Sequence, residues 1–253
     1  MLSVIVITKN EARDIARCLA SVAWADEIIV LDSGSSDDTV AICQRFTQQV
    51  VVTDWPGFGR QKQRALDRAR GDWVLSLDAD EEVSPALKQE IQQAMLRTDV
   101  QGLELPRLSS YCGRQMRHGG WWPDPVLRLF RRDAGRFSDD VVHERVVVAG
   151  SIGRLREPLL HESYVDLDEV LSKVNSYSTL GAQQLFAQGR RSSLGLAIGK
   201  GIWTFLRTYV LRAGFLDGPQ GLMLALSNAQ TSYYKYLKLR DLYRTQATAK
   251  PAP

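Results

Sequence analysis

Apolar positions along the first hundred residues alternate between two rhythms. Residues 4–8 read as a buried strand, and Asn10-Glu11 then opens a helical stretch in which Ile15, Cys18, Leu19 and Val22 recur at helical spacing. The pattern repeats. Residues 27–31 predict a second strand, Asp32-Ser33-Gly34-Ser35-Ser36 a polar turn, and Asp37-Asp38-Thr39 the first turn of a helix reaching Phe46. A strand over 50–53, a helix over 59–69, a strand over 73–77 and a helix from Ser84 to about Leu96 complete the series, with Ser84-Pro85 supplying an N-cap and an N1 proline. Strands alternating with helices at this spacing imply right-handed crossovers and a mostly parallel sheet, the architecture of an α/β fold.

In such sheets ligands bind beyond the carboxyl ends of the strands. Three polar clusters fall there: Thr8-Lys9-Asn10-Glu11, Asp32-Ser33-Gly34-Ser35 and Asp78-Ala79-Asp80. The third belongs to a run with carboxylates at 78, 80, 81 and 82, directly after an apolar strand. Asp78 and Asp80 can turn their oxygens towards one point, and oxygen-rich sites suit hard divalent cations that also hold substrate phosphates. A strand end followed by an acidic helix start is the plainer reading of the same residues.

Beyond residue 100 the rhythm changes. Residues 102–108, 126–130, 142–148 and 152–160 predict strands without intervening helices, a mixed or antiparallel extension. Between the first two lies the Gly- and aromatic-rich stretch 111–125, expected to be a long functional loop. From Asp166 the chain is helical, with an apolar stripe to Gly189, an apolar stretch over 194–215 interrupted by Lys200, Arg207 and Arg212, and a last helix opened by Pro219. The expected division is a catalytic domain over 1–165, with halves of about 1–100 and 101–165, a helical segment over 166–247 and a flexible tail over 248–253.

Charge sharpens that division. The net +3 is uneven: residues 190–253 hold ten Lys/Arg against two Asp/Glu, whereas residues 1–189 are net acidic. A basic helical segment seeks phosphate, on nucleic acid or on an anionic membrane. Three charges within 194–215 make a spanning helix costly, so an interfacial helix with Trp203, Phe205, Tyr209 and Phe215 is expected, or else a helix packed on the rest of the chain or on a second copy. Cys18, Cys43 and Cys112 are scattered, without a C-x-x-C pair, and read as reduced thiols in a cytosolic setting. The N-terminal apolar run has no basic lead and no cleavage site, so no signal peptide is expected. Gly57-Phe-Gly59 follows a strand as a dinucleotide fingerprint should, but position 62 is Lys rather than Gly or Ala, and no P-loop motif exists.

Taken together, the segment from Ser3 to Glu11, Asp32-Ser-Gly-Ser-Ser-Asp-Asp-Thr39 and Asp78-Ala-Asp80 resemble the glycosyltransferase family 2 pattern, which has the GT-A fold. The stretch 119–130, Val142-His-Glu-Arg145, Leu160-His-Glu-Ser-Tyr164 and Gly214-Phe-Leu-Asp-Gly218 extend the resemblance to the branch containing lipopolysaccharide core β-1,4-glucosyltransferases. The resemblance implies an inverting, metal-dependent transfer of a hexose, with UDP-glucose the expected donor and a glycolipid or oligosaccharide the acceptor. It implies that Thr8, Asn10, Glu11, Asp32, Ser33, Gly34, Lys62, Asp78, Ala79 and Asp80 hold the nucleotide-sugar, Glu11 and Asp32 at base and ribose. Asp80 and Asp78, with His161 as a later ligand, would hold Mg²⁺ or Mn²⁺. A base must take the acceptor hydroxyl's proton; Glu144 is the first choice and Asp124 the competitor. Trp121, Trp122 and His143 are expected at the acceptor. The implied location is the inner face of the cytoplasmic membrane, with an anionic lipid surface as partner, no nucleic acid, and a homo-oligomer allowed.

Plainer roles stand beside these. Glu11 could be an N-terminal helix charge, Lys62 and Arg64 could face water, Glu144 could pair Arg145, His161 could be a core residue, and the tryptophans could be core anchors. Two other functions compete: a nucleotidyltransferase that builds sugar nucleotides, which would want a Gly-rich basic loop after the first strand, and a non-catalytic RNA- or membrane-binding protein, which has no need of the carboxylates.

Overall fold

The computed structural model describes residues 1–138 and 145–249. The first elements alternate as the apolar rhythm predicts: β1 (Leu2–Thr8), α1 (Ile15–Ser21), β2 (Glu27–Asp32), α2 (Thr39–Cys43), β3 (Val50–Val52), α3 (Phe58–Leu66) and β4 (Trp73–Asp78). There follow β5 (Glu81–Val83), α4 (Pro85–Ala94), β6 (Gly102–Tyr111), β7 (Arg114–Gln115), β8 (Asp124–Arg131), β9 (Gly135–Phe137), β10 (Val146–Val148), β11 (Ile152–Arg154) and β12 (Leu159–Tyr164), then the helices α5 (Leu167–Ala187), α6 (Leu194–Leu206) and α7 (Gly218–Ala249). The main sheet has the order β3-β2-β1-β4-β8-β6-β12-β5. β3, β2, β1 and β4 are parallel, and β8 runs antiparallel to β4 and to β6. This mostly parallel sheet with an antiparallel extension and a helical C-terminal segment is GT-A-like.

The chain divides into two compact units. One comprises residues 1–108 and 123–162, and the other residues 109–122 and 163–253. In the α/β unit every residue of β1 is buried. Because side chains alternate across a strand, Leu2, Val4 and Val6 enter a core with Ile15 and Leu19 of α1 and Leu87 and Ile91 of α4, while Ile5 and Ile7 enter another with Ala65 and Leu66 of α3 and with Phe130 and Phe137. A buried polar knot closes the opposite sheet edge. Ser3 Oγ donates to Glu27 Oε2 (2.5 Å), accepts from Gly71 N (2.8 Å), and Arg70 Nε donates to Glu27 Oε1 (2.7 Å). Burial opposes the charge of Glu27, but the hydrogen bonds from Ser3, Arg70 and Gln49 outweigh it and lower the group to about 2. Gly71 is required here: a Cβ would stand 2.7 Å from Ser3 N and 2.9 Å from Met1 O.

Several elements depart from the sequence expectation. Glu81–Val83, an acidic stretch ahead of the helix expected from Ser84, is a strand, because β12 offers it an antiparallel partner; Ser84 then caps α4, accepting from Leu87 N (3.1 Å). The expected strand 152–160 is two strands, one pairing β6 and the other β5. In the expected strand 142–148, residues 142–144 lie outside the described residues, and Val146–Val148 pairs with β9 rather than with the main sheet. Helix α1 starts at Ile15 because Asn10 adopts a left-handed backbone (φ 56°) and a tight turn intervenes. The 194–215 stretch breaks into α6, a wide π turn and a 3₁₀ turn.

In the helical unit α5 begins at Asp166, whose carboxylate accepts from Glu169 N (2.8 Å). Tyr111, Met116, Val170, Val174 and Leu224 form its buried core. Asp217 fastens the 109–122 excursion: its Oδ2 accepts from Arg117 N (3.1 Å) and His118 N (2.7 Å), and Oδ1 lies 3.0 Å from His118 Nδ1. Among the described residues no helix is long and apolar enough to cross a membrane. Cys18 and Cys43 are buried, and all three cysteines are free thiols.

Candidate active site

Strand register brings the three polar clusters to one edge of the α/β unit. Thr8 pairs with Asp32 and Ile7 with Asp78, so β1, β2 and β4 end side by side. The first two loops are tied together: Ser33 N donates to Thr8 O (2.9 Å), Asn10 N to Ser35 Oγ (2.8 Å), and Asn10 Oδ1 accepts from Ser36 N (2.8 Å). Asp32 is fully buried, and its Oδ1 accepts from Gly34 N (2.9 Å) and Ser35 N (2.8 Å) while Oδ2 bonds the Ser35 hydroxyl. It shapes the loop that Gly34 turns at φ 79°, a backbone angle that glycine adopts without strain. Gln61 Nε2 donates to Ser33 Oγ (3.1 Å). Thr8 Oγ1 is buried without a hydrogen-bond partner among the described residues. Burial, followed by the charge of Asp80, pushes Glu11 up to about 7.

The third loop carries the strongest electrostatics. Lys62 Nζ lies 2.9 Å from Asp78 Oδ1, and Arg128 Nη2 bridges Asp78 Oδ2 and Glu81 Oε1, the latter at 2.6 Å. Arg107 Nη1 is 3.6 Å from the same Glu81 oxygen, and its Nε and Nη2 donate to Asp124 Oδ2 at 2.9 and 2.7 Å. Lys62, Asp78, Arg128, Glu81, Arg107 and Asp124 thus form a ladder of alternating charge. Against burial, Arg128 and Lys62 hold Asp78 well below the usual carboxylate range. Burial of the side chain pushes Glu81 up despite Arg128. Removing one member would leave a buried charge uncompensated, the costly way to break such a network.

Asp80 differs from Asp78. Its backbone oxygen accepts from Glu162 N (3.0 Å), and its Oδ2 lies 3.3 Å from His161 Nε2. β12 delivers that histidine, because His161 pairs with Glu81 across the β5 ladder. Ala79, between the two aspartates, is buried. Among the described residues no group of three or more His, Cys, Asp or Glu is arranged to hold a metal. Two donors 3.3 Å apart nevertheless fit neighbouring ligands of one divalent cation, about 2.0–2.2 Å from each. A cation with two protein ligands needs substrate oxygens to complete its shell, the usual state of Mg²⁺ on phosphates.

The remaining expected residues lie elsewhere. Trp121 belongs to the helical unit, stacked on Tyr164 with centroids 5.8 Å apart and edge-on to Tyr111, so it serves packing there. Trp122 carries Arg117 over its ring at 5.5 Å. His143 and Glu144 lie outside the described residues. Glu81, Arg107, Arg128 and Gln61 were not singled out from the sequence. The available signal was Arg128 itself, a charge in the middle of Val126-Leu127-Arg128-Leu129-Phe130.

The chain is 32% identical over 254 residues to an uncharacterized glycosyltransferase of Rickettsia prowazekii (strain Madrid E), covering 95% of this chain and 87% of that one. It is 31% identical over 259 residues to the lipopolysaccharide core biosynthesis glycosyltransferase LpsC of Rhizobium meliloti (strain 1021), covering 97% and 93%. Among solved structures, S. aureus TarS 1-349 in complex with UDP aligns at a TM-score of 0.48 and 16% identity over 97% of this chain and 91% of that one, a likeness too low to bear on mechanism. The sequence model of the family described as Glycosyl transferase family 2 matches residues 3–148, more than half of the chain, which therefore belongs to that family and is a glycosyltransferase.

Proposed function

We propose that this glycosyltransferase moves a hexose, with UDP-glucose the expected donor, to a saccharide acceptor of the lipopolysaccharide core, with inversion at the anomeric carbon. The observation that carries the reading is the register that ends β1, β2 and β4 together, with Asp80 and His161 paired beside them. The role of the Rhizobium relative in lipopolysaccharide core biosynthesis supports the acceptor class. Glu11, Asn10, Thr8 and the loop that Asp32, Ser33 and Gly34 shape receive the nucleoside. Lys62, fixed by Asp78, offers charge to the diphosphate.

Asp80 and His161 would hold Mg²⁺ or Mn²⁺, which when bound neutralises charge developing on the leaving nucleoside diphosphate. Asp78, with its oxygens engaged by two cations, positions Lys62 and Arg128 instead. The acceptor hydroxyl gives its proton to Glu144, with His143 on the acceptor side; Asp124 is the weaker choice because Arg107 already occupies one of its oxygens twice. The lipid-bearing acceptor would be met at the inner face of the cytoplasmic membrane. There the basic helical unit, whose α6 leaves Leu194, Ile198, Ile202, Trp203 and Leu206 exposed, faces anionic lipid.

Calorimetric titration with UDP in the presence and absence of Mg²⁺ tests the core of the reading. Wild-type protein should bind UDP more tightly with Mg²⁺. Asp80→Asn should lose that metal-dependent increment and at least about a hundredfold in turnover, while Glu144→Gln should keep binding and lose turnover. Metal-dependent UDP binding that survives in Asp80→Asn would overturn the metal assignment, and absence of nucleotide binding by the wild type would overturn the donor reading.

A further inference from the structure

A cavity of about 350 Å³ opens in the α/β unit, lined by Lys62, Asp78, Arg107, Arg128, Arg145 and Phe137 among others. Four cationic side chains and one carboxylate on so small a space ask for an explanation. Lys62 and Arg128 are matched by Asp78 and Glu81, and Arg107 by Asp124. Arg145 has no ion-pair partner among the described residues, so the described lining carries an excess of positive charge. Arg128 is only 8% exposed, yet its Nε has no hydrogen-bond partner there. A buried guanidinium N–H left open is costly unless a ligand meets it.

Of the nucleotide cradle only Lys62 and Asp78 reach these walls: Glu11, Asp32, Gly34 and Asp80 are absent from the lining. Apart from Lys62 and Asp78, the lining comes from β6, β8, β9 and the start of β10, downstream of the strands that end at the cradle. Guanidinium forks match carboxylate and phosphate oxygens in pairs, and Pro125, Val126 and Leu127 of β8 give an apolar surface for a ring. We infer that this cavity is a subsite for an anionic substituent of the acceptor saccharide, a carboxylate or a phosphate. The inference rests on the glycosyltransferase reading above.

The test uses the full chain saturated with UDP and Mg²⁺, titrated calorimetrically with glucose, glucuronate and glucose 6-phosphate. At least one anionic sugar should bind about tenfold more tightly than glucose, and the better of the two identifies the anion. Arg145→Gln, at an exposed position that folding tolerates, should abolish this preference and leave UDP affinity unchanged. Equal affinity for all three sugars would overturn the subsite, as would a preference that survives Arg145→Gln. Anion binding seen only without UDP would overturn it by assigning the cavity to the donor diphosphate. Failure of the unmodified protein to bind UDP at all would overturn the donor reading and the subsite with it.

Discussion

The two units treat apolar side chains in opposite ways. In the α/β unit β1 buries all seven of its residues, and its alternate positions feed two cores. In the helical unit α6 buries only Ala197 and Gly201, while Leu194, Leu196, Ile198, Ile202, Trp203 and Leu206 are exposed. Small residues seat α6 on α7; a Cβ at Gly201 would meet Tyr233 Cβ at 3.2 Å. Large residues face outward, the reverse of an ordinary amphipathic helix in water. Apolar side chains thus form a core in one unit and, on α6 of the other, an exposed patch of the kind that interaction surfaces use.

Two tryptophans test that contrast most severely. Trp73 is buried, donates from Nε1 to Met95 O (3.1 Å) and carries Arg131 4.3 Å above its ring. Trp73→Ala should cost about 3–5 kcal/mol in urea unfolding, whereas the half-exposed Trp203→Ala should cost less than about 0.5 kcal/mol. Comparable losses would mean that α6 is packed and that the contrast fails.

Acid unfolding probes the buried side of the comparison at smaller amplitude. The folded-state value of Glu27 is depressed below its unfolded value, so its contribution is present above about pH 4.5 and is lost as pH falls towards about 2. That contribution is on the order of 3 kcal/mol at neutral pH. Glu27→Gln should lower stability at pH 7 and flatten its dependence on pH below 4.5; an unchanged slope there would remove Glu27 from the knot.

The exposed side should give the smallest effect. Ile202→Glu or Trp203→Glu should weaken sedimentation with vesicles of mixed neutral and anionic lipid by about tenfold, and wild-type binding should fall with salt. Salt-independent or absent vesicle binding would overturn the membrane assignment. A concentration-dependent dimer abolished by the same substitutions would give the face to a second copy.

Much of the α/β unit was legible because its signals are local. Strand-length apolar runs, helical spacing and polar turns fixed the order β1 to β4, and a parallel sheet places Thr8, Asp32 and Asp78 at one edge by rule. Ser84-Pro85 announced the start of α4. The acidic run did not announce β5, because a three-residue strand is stabilised by its partner β12, about eighty positions away in sequence, rather than by its own propensity. The excursion 109–122 was equally hidden, since it joins the helical unit through Asp217, an attachment that no local pattern encodes.

For the site, sequence alone determined which carboxylates stand at the strand ends, because strand length and connection handedness decide that locally. Only the tertiary structure decided their work. Asp78 and Asp80 look equivalent in sequence, but Arg128 and Lys62 converge on the first and His161 on the second. Charge pairing between distant segments, set by the antiparallel neighbours β8 and β12, separates a carboxylate engaged by two cationic side chains from one that faces a histidine.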